Sequence, residues 1–253
     1  MLIFPNRQFP GTLLLAGLVL LGGCAGGDEA EFQEAKPQEA EIQETELPFL
    51  AGFDFEEGSE GLVPKEEGSW RVEEENGSMV YRLLSPGEFG EIRAPTAWSV
   101  LEGFPVGSFV FTGRLKCHTD PEVTARDMLV LFHYQDPTHF YYVHFAASSD
   151  GLHNIIGLVN GADRIKINRE TPGESVYRLT DAGWHHFKVT FDSETGEIQA
   201  FMDDMDTPIL TAIDTTLSTG LVGVGSFDDT GSFDDLELWG SVEGHPGQDF
   251  PPR

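Results

Sequence analysis

The run Trp184-His185-His186-Phe187-Lys188-Val189-Thr190-Phe191-Asp192, followed after a Ser193-Glu194-Thr195-Gly196 turn by Glu197-Ile198-Gln199-Ala200-Phe201-Met202-Asp203, reads as two strands joined tightly. Phe187, Val189 and Phe191 alternate with His186 and Lys188, a period of two that sends one set inward and leaves the other outward. The same pattern extends on both sides. Ser69–Glu75 and Ser78–Leu84 flank Asn76-Gly77, a strong hairpin signal because a type I′ turn needs two residues that tolerate positive φ. Arg126–Tyr134 and Thr138–Ala146 flank Gln135-Asp136-Pro137, and His153–Val159 and Ala162–Ile167 flank Asn160-Gly161. Phe89–Ala94, Gly107–His118, Gly220–Phe227 and Ser232–Trp239 complete the set. No helical stripe follows residue 50, so the chain reads as all-β.

The chain has 253 residues, 40% of them hydrophobic, with 29 Gly and 19 Phe. That suits one domain of sandwich size plus tails, and the aromatic content excludes a wholly disordered chain. Asp and Glu number 43 against 15 Lys and Arg, a formal charge of −28. Such a surface repels phosphate backbones, so nucleic acid is not an expected partner.

Thr12–Leu21 is apolar throughout apart from one glycine. As a helix it rises about 15 Å, short of a hydrocarbon core of about 30 Å, and it matches the apolar region of an export signal. It ends in Leu21-Gly22-Gly23-Cys24, which resembles the bacterial lipobox. The resemblance implies cleavage before Cys24, a diacylated thiol and an acylated new amine, hence a membrane partner through a lipid anchor on the cell envelope. Ala25 rather than Asp follows the cysteine, which in a Gram-negative cell implies the outer membrane. The alternative is an ordinary secretory signal. From Gly26 to Pro48 eight carboxylates face the single Lys36, and so one-signed a stretch reads as a disordered acidic linker. The expected organisation is a signal peptide at 1–23, a linker at 24–49, the sandwich at 50–242 and a flexible tail at 243–253. With Cys24 carrying lipid, Cys117 has no disulfide partner and reads as a buried, inert thiol.

Gly183–Asp192, then Gly196–Asp203 and Pro208, resemble the W-H…G…D…P signature of the concanavalin A-like lectin/glucanase superfamily, which laminin-G-like modules share. Phe53-Asp54-Phe55-Glu56-Glu57-Gly58, Trp70-Arg71-Val72 and Gly231–Trp239 resemble its first and last strands. The resemblance covers about residues 50–240. It implies a jelly-roll β-sandwich of two antiparallel sheets, one concave, with first and last strands paired. It also extends to the 3-keto-disaccharide hydrolase domain family, but that family's central Asn-Ser-Gly stretch is missing and its activity is not carried over.

Retaining glucanases of the superfamily carry Glu-x-Asp-x-x-Glu on one strand, and no strand here does. Neither a Gly-x-Ser-x-Gly elbow nor a His-Glu-x-x-His zinc motif occurs. Recognition is therefore the leading expectation. Alternation places His133 with Leu129 and Leu131, Tyr142 and His144 with Phe140, Arg114 with Thr112, and His186 with Lys188. If their strands adjoin in the concave sheet, Arg114, His133, Tyr142, His144, His186 and Lys188 line one groove for a polysaccharide. Aromatic planes there stack on sugar faces and the cations and imidazoles supply donors. The alternative is a solvated outer face. The resemblance also implies calcium near the paired first and last strands, with Asp54, Asp234 and Asp235 as ligands and Glu56, Asp228 and Asp229 as further oxygen donors. Asp235 matches the acidic position just before the last apolar strand. Three classes of function stand: a glycan-binding or adhesive module, a glycan hydrolase or lyase, and a structural envelope protein that contacts another protein.

Overall fold

The structure is a computed structural model that describes residues 47–169 and 179–243. The linker, signal and C-terminal tail expectations, with Cys24, lie outside the described residues. Fifteen strands and no helix form among the described residues.

One sheet holds eight strands: β1 (Phe49–Phe53), β3 (Trp70–Glu75), β4 (Ser78–Leu83), β6 (Val106–Cys117), β11 (His185–Phe191), β12 (Glu197–Met202), β13 (Leu210–Ile213) and β15 (Gly231–Val242). Its order is β13-β12-β11-β6-β15-β4-β3, with β1 also on β15. The other holds seven: β2 (Leu62–Pro64), β5 (Ala97–Leu101), β7 (Asp127–Asp136), β8 (His139–Ala146), β9 (Ile155–Asn160), β10 (Ile165–Lys166) and β14 (Leu221–Ser226), in the order β10-β9-β8-β7-β14-β5-β2. Every pairing is antiparallel. This is a jelly-roll β-sandwich, and the first and last strands pair as the sequence implied.

The inward residues read from alternation fill the space between the sheets. Met128, Val130 and Phe132 on β7 and Tyr141, Val143 and Phe145 on β8 meet Phe109 and Phe111 on β6 and Phe187, Val189 and Phe191 on β11. Phe109 and Phe132 join the two sheets at 5.7 Å between ring centroids. Each fully buried ring contributes about 1.5–3 kcal/mol through the area it removes from water. The Asn76-Gly77 hairpin forms with φ of 54° and 91°, as its residue types require. Cys117 is free and buried, and burial pushes its thiol up, so little nucleophilic thiolate is present.

One expected strand is absent. Phe89–Ala94 is irregular, and the stretch 85–96 lies over the outer face of the seven-stranded sheet. Ile92 and Ala94 pack there against Trp98, Leu129, Leu131, Phe140, Tyr142 and Phe227. The Arg93 amide donates to Asp163 Oδ1 at 2.8 Å, the Arg164 amide to the Arg93 carbonyl at 3.0 Å, and the Thr96 hydroxyl to the Phe227 carbonyl. Its Gly, Pro and charged residues satisfy their backbone through such local contacts rather than a ladder. The sandwich therefore carries a second apolar cluster outside its main core.

Candidate functional site

The six residues expected to share a groove fall in three places. Arg114, His186 and Lys188 stand on the outer face of the eight-stranded sheet, where His186 pairs with Arg114 across β11 and β6. Tyr142 and His144 stand on the outer face of the seven-stranded sheet, with ring centroids 6.3 Å apart. His133 is in neither group. Its backbone takes φ of 46° where the β7–β8 register shifts, and the ring turns into the core, 4.3 Å from Phe191. There Nδ1 and Nε2 each lie 3.0 Å from a carbonyl, of Leu217 and Gly107. Burial lowers its pKa against the pull of those carbonyls, so the ring is a core histidine. The single-groove expectation is thus corrected: β6 and β11 belong to one sheet, β7 and β8 to the other.

On the eight-stranded face Arg114 and Lys188 are engaged by their surroundings. Arg114 contacts Asp234 and Asp235, each at 2.7 Å, and its guanidinium lies 5.3 Å from the Trp184 ring. Lys188 donates to the Met205 carbonyl at 2.5 Å and sits 4.0 Å over Phe201. His185, buried, places Nδ1 2.9 Å from Asp203 and Nε2 3.2 Å from Asp181, while the His186 amide donates to Asp203. The His-His and Asp203 elements of the sequence signature therefore meet in one structural clasp between β11 and the end of β12.

The expected calcium ligands are also redistributed. Asp54 accepts the Glu56 amide in a turn, and Asp234 and Asp235 hold Arg114, so a cation already occupies their charge. Burial raises the Asp234 carboxyl; the Asp235 amide it accepts opposes that rise and the Asp235 charge adds to it. Among the described residues the acidic oxygens that converge belong to Asp127, Asp228 and Asp229, within 4.8 Å of one another. The acidic pattern of the sequence points to Asp228 and Asp229. It misses Asp127, because a single aspartate opening a strand carries no pattern.

These aspartates close one end of the seven-stranded outer face. Asp127, fully buried, accepts Ser226 Oγ at 2.8 Å and the Phe227 amide at 3.0 Å through Oδ1, and its Oδ2 lies 3.1 Å from His144 Nε2. Burial alone would raise this carboxyl, but the His144 charge and those hydrogen bonds outweigh it and hold it below the usual range. His144 Nδ1 faces the Leu152 carbonyl at 3.0 Å, and a carbonyl only accepts, so Nδ1 carries a proton. Nδ1 is thereby committed to Leu152, while Nε2 faces Asp127 without completing an aligned hydrogen bond. Asp229 accepts the Asp127 amide at 2.7 Å and the Thr119 hydroxyl. Asp228 faces solvent, and partial burial plus the Asp127 charge raise its pKa. Calcium takes six to eight oxygens. Two of these three carboxylates are filled by hydrogen bonds and His144 supplies the countercharge, so the set fits a calcium ion poorly.

From this polar end the face runs into aromatic ground. Phe227 lies 5.0 Å from His144 and 5.7 Å from Tyr142; Trp98, Tyr134 and Phe140 follow. Tyr142 lies flat across Gly157, where a Cβ would come 2.2 Å from its ring. Arg164, from the turn before β10, holds its guanidinium 4.1 Å over Phe227. Burial raises the Tyr142 hydroxyl far above its ordinary pKa, and the neighbouring Arg164 charge opposes that rise. Tyr142 Oη and Arg164 Nε are buried and face each other's side chains without completing an aligned hydrogen bond among the described residues. Leaving a buried donor unmade costs about 1–3 kcal/mol each. Sequence reasoning finds Tyr142 and misses Arg164, whose loop position gives no periodic signal. At the Trp98 end, the crevice bordered by Lys65, Trp70 and Gly87 has no room for a water molecule.

No protein-family model matches the chain, and no curated protein matches it. Among solved structures it is similar to a mutant of the glycoside hydrolase family 43 protein BlXynB from Bacillus licheniformis, at 12% identity and TM-score 0.50, over 75% of this chain and 39% of that one. It is similar to the carbohydrate-binding module CBM66 from Bacillus subtilis at 13% identity and TM-score 0.48, over 71% and 95%. Winged bean acidic lectin in complex with methyl-α-D-galactose gives 13% identity and TM-score 0.48, over 77% and 98%. Likeness at this level of identity speaks to fold alone.

Proposed function

We propose that the protein is a carbohydrate-binding module, with the outer face of the seven-stranded sheet as its sugar surface, presented on the cell envelope by a lipid on Cys24. The observation that carries this reading is the buried Tyr142 hydroxyl set against the Arg164 guanidinium, on a face otherwise built of aromatic rings. A polyhydroxylated ligand supplies acceptors for such donors while its C–H faces lie on the rings. The stretch 85–96 covers Tyr142 and Trp98, so this reading makes it part of the site, opening for the sugar or adding contacts to it.

A hydrolase reading finds less support. Asp127 and Asp229 are engaged by hydrogen bonds and His144 is held by the Leu152 carbonyl against Asp127, which leaves Asp228 as the one free carboxyl of the cluster where a glycosidase needs two. Calcium is the remaining part of the expectation; given the engaged oxygens, chelation with EDTA is expected to leave sugar binding unchanged. A structural role through contact with another protein would give a crosslinked partner and no sugar affinity.

The test is a glycan microarray probed with the full chain and with Tyr142→Phe, which keeps the ring and removes only the hydroxyl. Binding to a subset of glycans, weakened about tenfold in the variant, is the expected result. An array with no bound glycan at any concentration overturns the reading.

A further inference from the structure

Acidic residues outnumber basic ones 43 to 15 in this chain, so an arginine has carboxylates in easy supply. Arg71 and Arg82 both contact Glu73, and Arg114 contacts Asp234 and Asp235. Arg126, buried, donates to the carbonyls of Asp181 and Cys117. Arg164 departs from this pattern. It is half-buried, no carboxylate lies within 4 Å of its guanidinium among the described residues, and its flat face rests on Phe227 beside the buried Tyr142 hydroxyl. Arg93, whose carbonyl accepts the Arg164 amide, likewise has no carboxylate that close and lies 6.0 Å over the ring of Phe89, which is 58% exposed. Two guanidiniums, one exposed aromatic ring and the Tyr142 hydroxyl thus adjoin on the cover of the proposed sugar face.

We propose that the ligand of this face is an anionic glycan whose carboxylate or sulfate seats on Arg164 and Tyr142 Oη, with Arg93 at the rim and a sugar face on Phe89; the proposal rests on the carbohydrate-binding reading above. A planar guanidinium with open N–H groups matches the two oxygens of such an anion, and charge-assisted bonds of this kind are about twice as strong as neutral ones. Of the nearby aspartates, Asp228 feels the Arg93 charge but comes within 4 Å of neither guanidinium, and the other two are engaged elsewhere. Asp127 is compensated by His144, and Asp163 uses Oδ1 on the Arg93 amide. The overall charge of −28 repels anions at long range, so an anion that binds does so through local contacts.

The experiment compares matched polymers by affinity electrophoresis and calorimetry on the full chain: dextran against dextran sulfate, and methyl-esterified pectin against polygalacturonate. The first pair reads sulfate, the second carboxylate. The expected result is that the charged member of at least one pair binds about tenfold tighter than its neutral twin and that Arg164→Gln abolishes the preference while keeping the unfolding midpoint. If Arg164→Gln does not fold, Tyr142→Phe is expected to lower the same preference about threefold. Equal binding of charged and neutral polymers, or a preference that survives these substitutions, overturns the anionic seat and leaves the glycan reading standing. No binding of any polymer overturns both.

Discussion

At the scale of single residues the polar end of the seven-stranded face is a balance of charges. The folded state lowers the Asp127 pKa, so this group adds stability at pH values above its unfolded value of about 3.9, and that contribution is lost as pH falls through the lower folded value. His144→Ala leaves the same carboxylate buried and uncompensated, and a loss of about 3–5 kcal/mol is expected by urea unfolding at pH 7. The sign of the pH dependence then reverses: an unpaired buried carboxyl has a raised pKa, so the variant gains stability as pH drops toward about 4. A variant with an unchanged acid limb would show that His144 does not hold Asp127. Asp228 behaves oppositely to Asp127. Its folded pKa is raised, so it favours the fold below its unfolded value and less so as pH rises through the folded one. Asp228→Asn is expected to raise the melting temperature by about 1–3 °C at pH 7, with the gain vanishing near pH 4. Of these residues the sequence exposes His144, Tyr142 and Asp228 through alternation and acidity. It places His133 with Leu129 and Leu131, because a positive-φ bulge that turns a ring inward leaves no trace in a period-two pattern.

Among the elements, hairpins are legible and sheet membership is not. Asn76-Gly77 fixes its hairpin locally, and β7–β8 and β11–β12 follow from short turns between alternating runs. The partnerships β6–β15 and β7–β14 join segments about a hundred residues apart, and nothing in either strand announces its partner. That gap is why alternation groups Arg114 and His186 with Tyr142, although it faces each of them outward correctly. Phe89–Ala94 misleads for a related reason: its apolar residues do bury, but against a sheet face from above rather than within a ladder. Close approach of β8 and β9 gives an element-scale prediction. Gly157 sits where any Cβ meets the Tyr142 ring at 2.2 Å, and Tyr142 is fully buried with no space to retreat. Gly157→Ala is expected to destabilise by about 1–3 kcal/mol in chemical unfolding and to weaken glycan binding with it, because the displaced ring carries the hydroxyl. Unchanged stability would mean that the ring tilts freely.

For the molecule as a whole, the described sandwich is continuous in core and sheet, and the sequence announces that architecture because alternation, Gly-rich turns and aromatic content agree. What the proposed lipid adds to the sandwich is an address. Two or three acyl chains anchor stably where a single one is marginal, since each buried CH₂ contributes about 0.8 kcal/mol. Cys24→Ala removes the thiol proposed to carry the lipid and changes no residue of the sandwich. The expected outcome is transfer of the protein from the membrane pellet to the soluble fraction, together with loss of partitioning into the detergent-rich phase on Triton phase separation. Glycan affinity of the released protein should equal that of the anchored form measured on vesicles, because the proposed sugar face is built entirely from residues between Lys65 and Phe227. Persistence of the variant in the membrane pellet would mean that the apolar run or another contact, rather than lipid at Cys24, holds the chain there.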